Sequence, residues 1–191
     1  SDWSSDVCSS DLQYFLDLLY NMDWGDAASA DRINGEYLKL AETYPKMLSL
    51  QYLAAQSLMR RTKDGYSTSL VERHVAAAER YLELYQQTYD TYRNDPAAYS
   101  DYQDMIHATQ GINGLEDAVL EFDEAGLGNA RYFVGTVCYK AGSYSAKYYD
   151  RALELLGDVE DYDTRNLVAC SYFDMKSYKK CIFSILQGRF L

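Results

Sequence analysis

The chain has 191 residues, the length of one ordinary domain, and its 29 acidic and 18 basic side chains give a formal net charge of −11. This charge argues against nucleic acid and anionic membrane surfaces as partners, because both repel an acidic protein. The 22 leucines and 19 alanines outnumber the 8 valines and 5 isoleucines, and only 2 prolines are present. The composition therefore favours helices over strands and predicts an all-α fold.

Residues 1–12 are small and acidic and show no hydrophobic period, unlike the remainder of the chain. From Asp2 to Leu12 they resemble the translation of a short sequencing-adapter oligonucleotide. We interpret residues 1–12 as a non-native segment and residues 13–191 as a domain that is itself a fragment, with any signal peptide, anchor or upstream domain missing. A disordered polar N-terminus is the alternative. No stretch reaches the ~18 consecutive apolar residues of a transmembrane helix, so this segment is not expected to insert into a membrane.

From Gln13 onward, apolar residues recur at helical spacing and do not alternate as they would in a strand. Val71, Val75 and Ala78, for example, share one face of a long helix. In chain order, the pattern predicts ten helices, at residues 13–22, 28–44, 46–62, 69–93, 96–110, 115–126, 129–141, 144–157, 163–175 and 178–188.

Several of these boundaries carry helix start and stop signals. Ser69 and Glu72 have the spacing of a capping box, and Asp95 followed by Pro96 is a cap residue followed by proline at the first helical position. Four glycines each follow a periodic run, where a left-handed residue can end a helix. They are Gly65, Gly126, Gly142 and Gly157.

Two segments in the C-terminal half are similar to each other. Residues 135–144 (GTVCYKAGSY) align with residues 169–178 (ACSYFDMKSY), 34 residues further on. This period, with a small residue, an aromatic residue and a turn that ends in tyrosine, resembles the tetratricopeptide repeat. The resemblance covers residues 13–191, strongly after Tyr102 and weakly before it. It implies a solenoid of about five antiparallel helix pairs.

The small residues of such a repeat have a steric role. Where two helices cross at ~8–10 Å, a small residue lets the backbones approach and lets a neighbouring side chain fill the groove. The alignment gives this role to Gly135 and Ala169. We therefore expect leucine at either position to overpack the crossing at a cost of ~1–3 kcal/mol.

The sequence predicts neither a metal site nor an enzyme nor a cofactor. His74 and His107 have no partner at the i+4 spacing of a helical metal pair, so we expect them at the surface or in a groove. The segment from Gly126 to Gly128 lacks the strand and the third glycine of a nucleotide-binding loop, and we interpret it as a helix end and turn.

Three cysteines remain once residues 1–12 are set aside, namely Cys138, Cys170 and Cys181. Their spacing is not that of a zinc site, and an odd number cannot be fully paired within one chain. Cys138 and Cys181 lie on apolar stripes, so we expect buried free thiols, a reducing compartment and a cytoplasmic location. The alternatives are a Cys170–Cys181 disulfide and an extracytoplasmic protein held by a missing N-terminal anchor.

The many tyrosines of the C-terminal half have two interpretations. They fill the grooves between helices with their hydroxyls at the wet rim, or some of them line a partner-binding surface. In tetratricopeptide repeats, the first helix of each pair lines the concave face. The resemblance places there Gln103, His107, Tyr132, Thr136, Tyr139, Asn166, Cys170 and Phe173, with Lys140 nearby. These residues do not reproduce the basic clamp with which some family members hold acidic chaperone tails, so that partner is not expected.

The resemblance implies a non-catalytic scaffold that binds a protein or an extended peptide in a preorganised groove. The acidic, tyrosine-rich character predicts an apolar and basic partner segment. An alternative is the peptide- or ligand-sensing regulatory domain of a bacterial transcription regulator whose DNA-binding part is missing. A third possibility is the helical accessory domain of an enzyme.

Overall fold

A computed structural model describes residues 27–59, 67–94, 124–157, 162–178 and 180–181. The secondary structure of these ranges is entirely helical, which confirms the predicted all-α class for them. The helices are α1 (Ala27–Thr43), α2 (Leu48–Met59), α3 (Thr68–Asn94), α4 (Glu124–Gly142), α5 (Lys147–Leu156) and α6 (Tyr162–Asp174). Residues 178, 180 and 181 are helical again after α6. Within the described ranges, no helix has the length and apolarity needed to cross a membrane.

Five predicted helices coincide with α1, α2, α3, α5 and α6, and their predicted ends lie within three residues of the observed ones. Periodicity was sufficient for α1, α3 and α5 because each of these helices has a continuous apolar face to bury. Four predicted helices lie wholly or partly outside the described residues, as does the segment 1–12. They are 13–22 and 96–110, most of 115–126, and the end of 178–188.

Helix α4 contradicts the predicted turn at residues 126–128. The helix is continuous from Glu124 and includes both glycines of this segment. Leu127, between them, is 7% exposed and belongs to the main core. Two glycines inside a helix cost about 2 kcal/mol relative to alanine, whereas burying a leucine side chain contributes ~1.5–3 kcal/mol and burial of Ala130 in the same core adds to this. Packing therefore outweighs the local preference of these glycines for a turn.

The predicted left-handed glycine caps are also wrong where the structure describes them. Gly142 is the last residue of α4 and has no positive φ, and Gly157 after α5 has φ −62° and ψ −28°. The left-handed residue is instead Lys176, with φ 59°. Its N–H donates to the Phe173 carbonyl at 2.8 Å, and the Ser177 N–H donates to the Tyr172 carbonyl at 2.8 Å. These two bonds form a Schellman motif that ends α6.

The N-terminal cap of α3 is Ser67, not the predicted Ser69. The Ser67 hydroxyl accepts a hydrogen bond from the Leu70 N–H at 3.2 Å, which satisfies one of the free N–H groups of the first turn. Glu72, the predicted partner in a capping box, instead forms an ion pair with Lys147 of α5 at 3.0 Å. The helix thus begins one residue earlier than predicted, at Thr68.

Two clusters of buried side chains hold the helices together. The main cluster joins α2, α3, α4 and α5, and includes Tyr81 and Tyr85 of α3, which are 2% and 0% exposed. Val134 and Val137, on the predicted stripe of α4, are fully buried in it. The second cluster joins α1, α2 and α3 around Ile33. The predicted apolar faces of α3 and α4 therefore meet in the main cluster.

The helices pack in the order in which they occur in the chain. Each described helix contacts the next one, and α1 also contacts α3, α2 contacts α4, and α4 contacts α6. The contact between α3 and α4 is direct although residues 95–123 separate these helices in sequence.

Ion pairs connect the alternate helices α1, α3 and α5. Arg73 of α3 holds Glu42 of α1 with two hydrogen bonds, of 2.7 and 2.8 Å. Arg151 of α5 holds Glu79 of α3 in the same two-bond arrangement, with distances of 2.7 and 2.8 Å. Together with the pair of Glu72 and Lys147, these residues form what we call the ion-pair surface.

His74 is buried, which contradicts the expectation of a surface or groove position. Its side chain is 0% exposed, and Nδ1 lies 2.6 Å from the Ala54 carbonyl oxygen and 3.1 Å from the Ser57 hydroxyl. A buried polar group is tolerated when it finds such partners. Position 74 follows Val71 by three residues, so it shares the apolar stripe of α3.

The expectation for the cysteines is confirmed. Cys138 and Cys181 are buried free thiols, and Cys170 is partly buried and also free, so the alternative disulfide is not formed. Burial, more than any neighbouring charge, raises the pKa of Cys138 to about 12. Because the thiolate is the reactive form of cysteine, this thiol is unreactive near neutral pH.

Candidate functional site

Seven of the nine predicted partner-binding residues lie within the described ranges, and we call their surface the candidate groove. Gln103 and His107 lie outside these ranges. Helix α4 carries four of the seven and α6 carries three. They are Tyr132, Thr136, Tyr139 and Lys140 on α4, and Asn166, Cys170 and Phe173 on α6. All seven are exposed or partly exposed, with Phe173 at 58% and Tyr132 at 36%.

The structure joins the two helices of the candidate groove through Tyr139. Its hydroxyl donates a hydrogen bond of 3.2 Å to Oδ2 of Asp174, on the last turn of α6. Thr136 instead donates within its own helix, to the Tyr132 carbonyl at 2.8 Å. Tyr139 is thus the predicted residue of α4 that reaches α6.

Asp174 was not predicted as a site residue. Its Oδ2 atom accepts a second hydrogen bond, of 3.3 Å, from the Tyr149 hydroxyl of α5, so side chains of three helices meet at one carboxylate. The sequence held a usable signal, because Asp174 follows Cys170 by four residues and Asn166 by eight. This spacing places Asp174 on the same face of α6 as these two predicted residues.

The two phenols at Asp174 remain protonated well above neutral pH. Burial, and then the neighbouring Asp174 carboxylate, raise the pKa of Tyr139 to about 12. The same two causes raise the pKa of Tyr149. Tyr139 and Tyr149 lie side by side, with ring centroids 5.8 Å apart. Both side chains are therefore neutral hydrogen-bond donors to a charged carboxylate.

Gly142 positions Tyr149. A Cβ atom at residue 142 would overlap the Tyr149 ring, so the ring lies directly against the backbone at the end of α4. Gly135 makes similar room about two turns earlier, where a Cβ atom would lie 2.6 Å from the Leu156 side chain. The absence of side chains at these two residues lets α5 approach α4 and brings the Tyr149 hydroxyl to Asp174.

An exposed aromatic pair lies at the end of α6. Phe173 and Tyr178 are 58% and 53% exposed, and their rings meet edge to face with centroids 5.6 Å apart. The Schellman turn at Lys176 reverses the chain and returns Tyr178 to Phe173. Lys180 lies over the neighbouring Tyr172 ring, at 5.5 Å from its centroid. This end of the molecule therefore exposes both aromatic surface and charge.

Aromatic side chains also connect α4 to α2, a helix that carries none of the predicted site residues. Tyr52 of α2 and Phe133 of α4 have ring centroids 4.5 Å apart, and both are partly buried. Gln56 donates a hydrogen bond of 3.2 Å to the Tyr52 hydroxyl. Apolar contact thus links α2 to α4, while the phenol–carboxylate contact links α4 to α6.

The chemistry of the candidate groove is that of contact and hydrogen bonding. Its side chains supply aromatic rings, hydroxyls, an amide, a thiol and one ammonium group. Among the described residues, no group of three His, Cys, Asp or Glu side chains could hold a metal ion.

A scan of protein-family models, a search of curated proteins and a search of solved structures each returned no significant match to this chain.

Proposed function

We propose that the chain is a non-catalytic scaffold of the tetratricopeptide kind, which binds an extended protein or peptide segment across α4 and α6. The observation that carries this proposal is the exposure of Tyr132 and Phe173 on two contacting helices, beside the hydrogen-bonded Tyr139. Large exposed rings next to polar groups are typical of interaction surfaces. The acidic net charge favours a partner segment that is apolar and basic.

The pattern of burial supports the repeat. Four buried positions of α4 recur as buried positions of α6 at the same offset of 34 residues. These are Ala130 and Thr164, Val134 and Val168, Gly135 and Ala169, and Val137 and Ser171. The contacts of each helix with the next one, and of α4 with α6, agree with stacked pairs. The direct contact of α2 with α4 differs from the predicted order, in which the helix at 96–110 comes between them. In a row of stacked pairs α2, α4 and α6 are the first helices, which form the concave face of the family.

The mechanism of binding is preorganisation. Tyr139 of α4 and Tyr149 of α5 both donate hydrogen bonds to Asp174 of α6, and α5 approaches α4 closely at Gly135. These contacts fix α4 relative to α6 before a partner arrives. Binding then needs little ordering of the groove, so less of the contact energy is lost as entropy. Tyrosine suits this role because its large ring has few rotatable bonds.

The test is binding of selected peptides to two variants. A displayed library of random dodecapeptides is selected on the whole chain, and the affinity of an enriched peptide is measured by fluorescence anisotropy. Tyr139→Ala combined with Phe173→Ala should weaken binding at least about tenfold, because aromatic contacts at interface centres contribute 2 kcal/mol or more. Gln87→Ala, an exposed neutral substitution on α3, is the control and should bind normally.

Circular dichroism of the double variant decides whether the rings belong to the groove. An unchanged helical signal with weaker binding supports the proposal. Loss of the helical signal would show that these rings are part of the core, and unchanged affinity would show that the peptide binds elsewhere.

We further propose a cytoplasmic location. The support is that Cys138, Cys170 and Cys181 are all free thiols, as is usual in a reducing compartment.

A further inference from the structure

We propose that Asp174 binds the guanidinium group of an arginine in the partner segment, with Phe173 and Tyr178 packing against that side chain. This inference rests on the proposed function and specifies its partner. It rests on an exposed carboxylate that two phenols hold, and on an exposed aromatic pair that includes the preceding residue, Phe173.

The carboxylate of Asp174 is held differently from the carboxylates of the ion-pair surface. Glu42, Glu72 and Glu79 each form an ion pair with an arginine or lysine. Asp174 instead receives two hydrogen bonds from tyrosine hydroxyls. Because both phenols are neutral donors, they orient the carboxylate but do not cancel its charge.

This charge also lacks a cation from the described part of the chain. Within that part, Asp174 forms no ion pair, and the ammonium group of Lys180, six residues further on, lies over the Tyr172 ring instead. The two phenols both bind Oδ2, which leaves Oδ1 with its lone pairs for an external donor. A fixed carboxylate with one oxygen available suits a cation that brings several N–H groups.

The surroundings favour arginine over lysine. The rings of Phe173 and Tyr178 are 58% and 53% exposed, and the planar guanidinium stacks on aromatic faces more readily than a compact, strongly hydrated ammonium. The apolar stem of an arginine side chain can also cover such rings while its charged end reaches a carboxylate. The net charge of −11 attracts a basic segment from a distance.

The test begins with the same random dodecapeptide selection on the whole chain. Enriched peptides should share an arginine flanked by apolar residues. One such peptide is then made with arginine, lysine or citrulline at this position, and its affinity is measured for the wild type and for Asp174→Asn. Asparagine still offers an oxygen to both phenols, so the fold should be kept, and circular dichroism checks this. Asp150→Asn on α5, an equally exposed position, controls for the change in net charge.

We expect Asp174→Asn to weaken the arginine peptide about 10- to 100-fold, since hydrogen bonds to charged groups contribute ~1.5–3 kcal/mol. The citrulline peptide should bind the wild type with a similar loss of affinity, and it should bind Asp174→Asn little more weakly than the arginine peptide does. The arginine peptide should bind Asp150→Asn normally. Selected peptides without a shared arginine would overturn this inference and leave the proposed function standing. So would an equal loss of affinity in Asp174→Asn and Asp150→Asn. Failure to enrich any peptide would contradict the proposed function, and this inference with it.

Discussion

Gly135 stands at a close contact between α4 and α5. A Cβ atom there would lie 2.6 Å from the side chain of Leu156, which is itself fully buried. We therefore expect Gly135→Leu to lower the free energy of unfolding by ~1–3 kcal/mol through overpacking. Chemical denaturation followed by circular dichroism measures this change.

Gly128 supplies the matched control, because it lies in the same helix and a Cβ atom there meets nothing within 4 Å. Gly128→Ala should raise the free energy of unfolding by about 0.5–1 kcal/mol, since alanine loses less backbone entropy in a helix. A denaturation midpoint for Gly135→Leu equal to that of the wild type would contradict the packing of α5 on α4.

Lys176 adopts a backbone conformation that glycine adopts more easily. For an L-residue, a left-handed φ such as its 59° costs about 1–2 kcal/mol, and the larger entropy of glycine in the unfolded chain offsets part of this. Lys176→Gly should therefore stabilise the protein by about 0.5–1 kcal/mol, measured as a higher denaturation midpoint. The same change at Lys39, inside α1, should be destabilising. Destabilisation by both substitutions would exclude the Schellman turn described above.

At the scale of single residues, the sequence predicted burial better than contacts. Spacing alone indicated that Val134 and Val137 are buried and that Cys138 is a buried free thiol. Spacing also places His74 on the apolar stripe of α3, but it could not indicate the polar partners of this side chain, because Ala54 and Ser57 belong to another helix. Spacing likewise places Asp174 on the same face of α6 as Asn166 and Cys170, but both phenols that bind it come from other helices and were not predictable.

At the scale of helices, the ion-pair surface connects elements that are not neighbours in sequence. Arg151 and Glu79 join α5 to α3 through two hydrogen bonds, with about a third of each side chain exposed. Exposed pairs are typically worth 0.2–1 kcal/mol, and a two-bond geometry favours the upper part of this range. We expect a coupling free energy of about 0.5–1 kcal/mol in a double-mutant cycle of Glu79→Gln and Arg151→Met, and a smaller value at high salt.

Glu154 controls for the general loss of a charge near Arg151. It forms one contact with the same arginine, at 3.0 Å, on its own helix, where such pairs contribute only about 0.2–0.5 kcal/mol. The coupling between Glu154→Gln and Arg151→Met should therefore be the smaller of the two. If both cycles gave zero, the pairs of this surface would not stabilise the contact of α5 with α3.

Helix positions were predictable wherever an apolar face ran without interruption, as in α3. The prediction failed at the start of α4, where glycines at residues 126 and 128 suggested a turn. The two glycines together cost the helix about 2 kcal/mol relative to alanine, and burial of Leu127 and Ala130 in the core offsets this cost. The local sequence pattern does not indicate the free energy of this tertiary contact.

At the scale of the whole molecule, the described helices contact mainly their near neighbours along the chain. Ion pairs connect α1, α3 and α5. Aromatic and phenol–carboxylate contacts connect α2, α4 and α6, and they also include Tyr81 of α3 and Tyr149 of α5. The similarity of residues 135–144 to 169–178 predicts a row of stacked helix pairs, which stays a prediction. It could not indicate that α3 packs directly on α4, because residues 95–123 lie between them.

The central claim is that a partner segment lies across α4 and α6 and not on the ion-pair surface. Backbone amide NMR spectra of the whole chain, recorded with and without an enriched dodecapeptide, test it most directly. We predict that the largest shift changes occur at Tyr132, Thr136, Cys170 and Asp174, while the amides of Arg73 and Arg151 change little. Shift changes centred on Arg73, Glu79 and Arg151 instead would contradict the account.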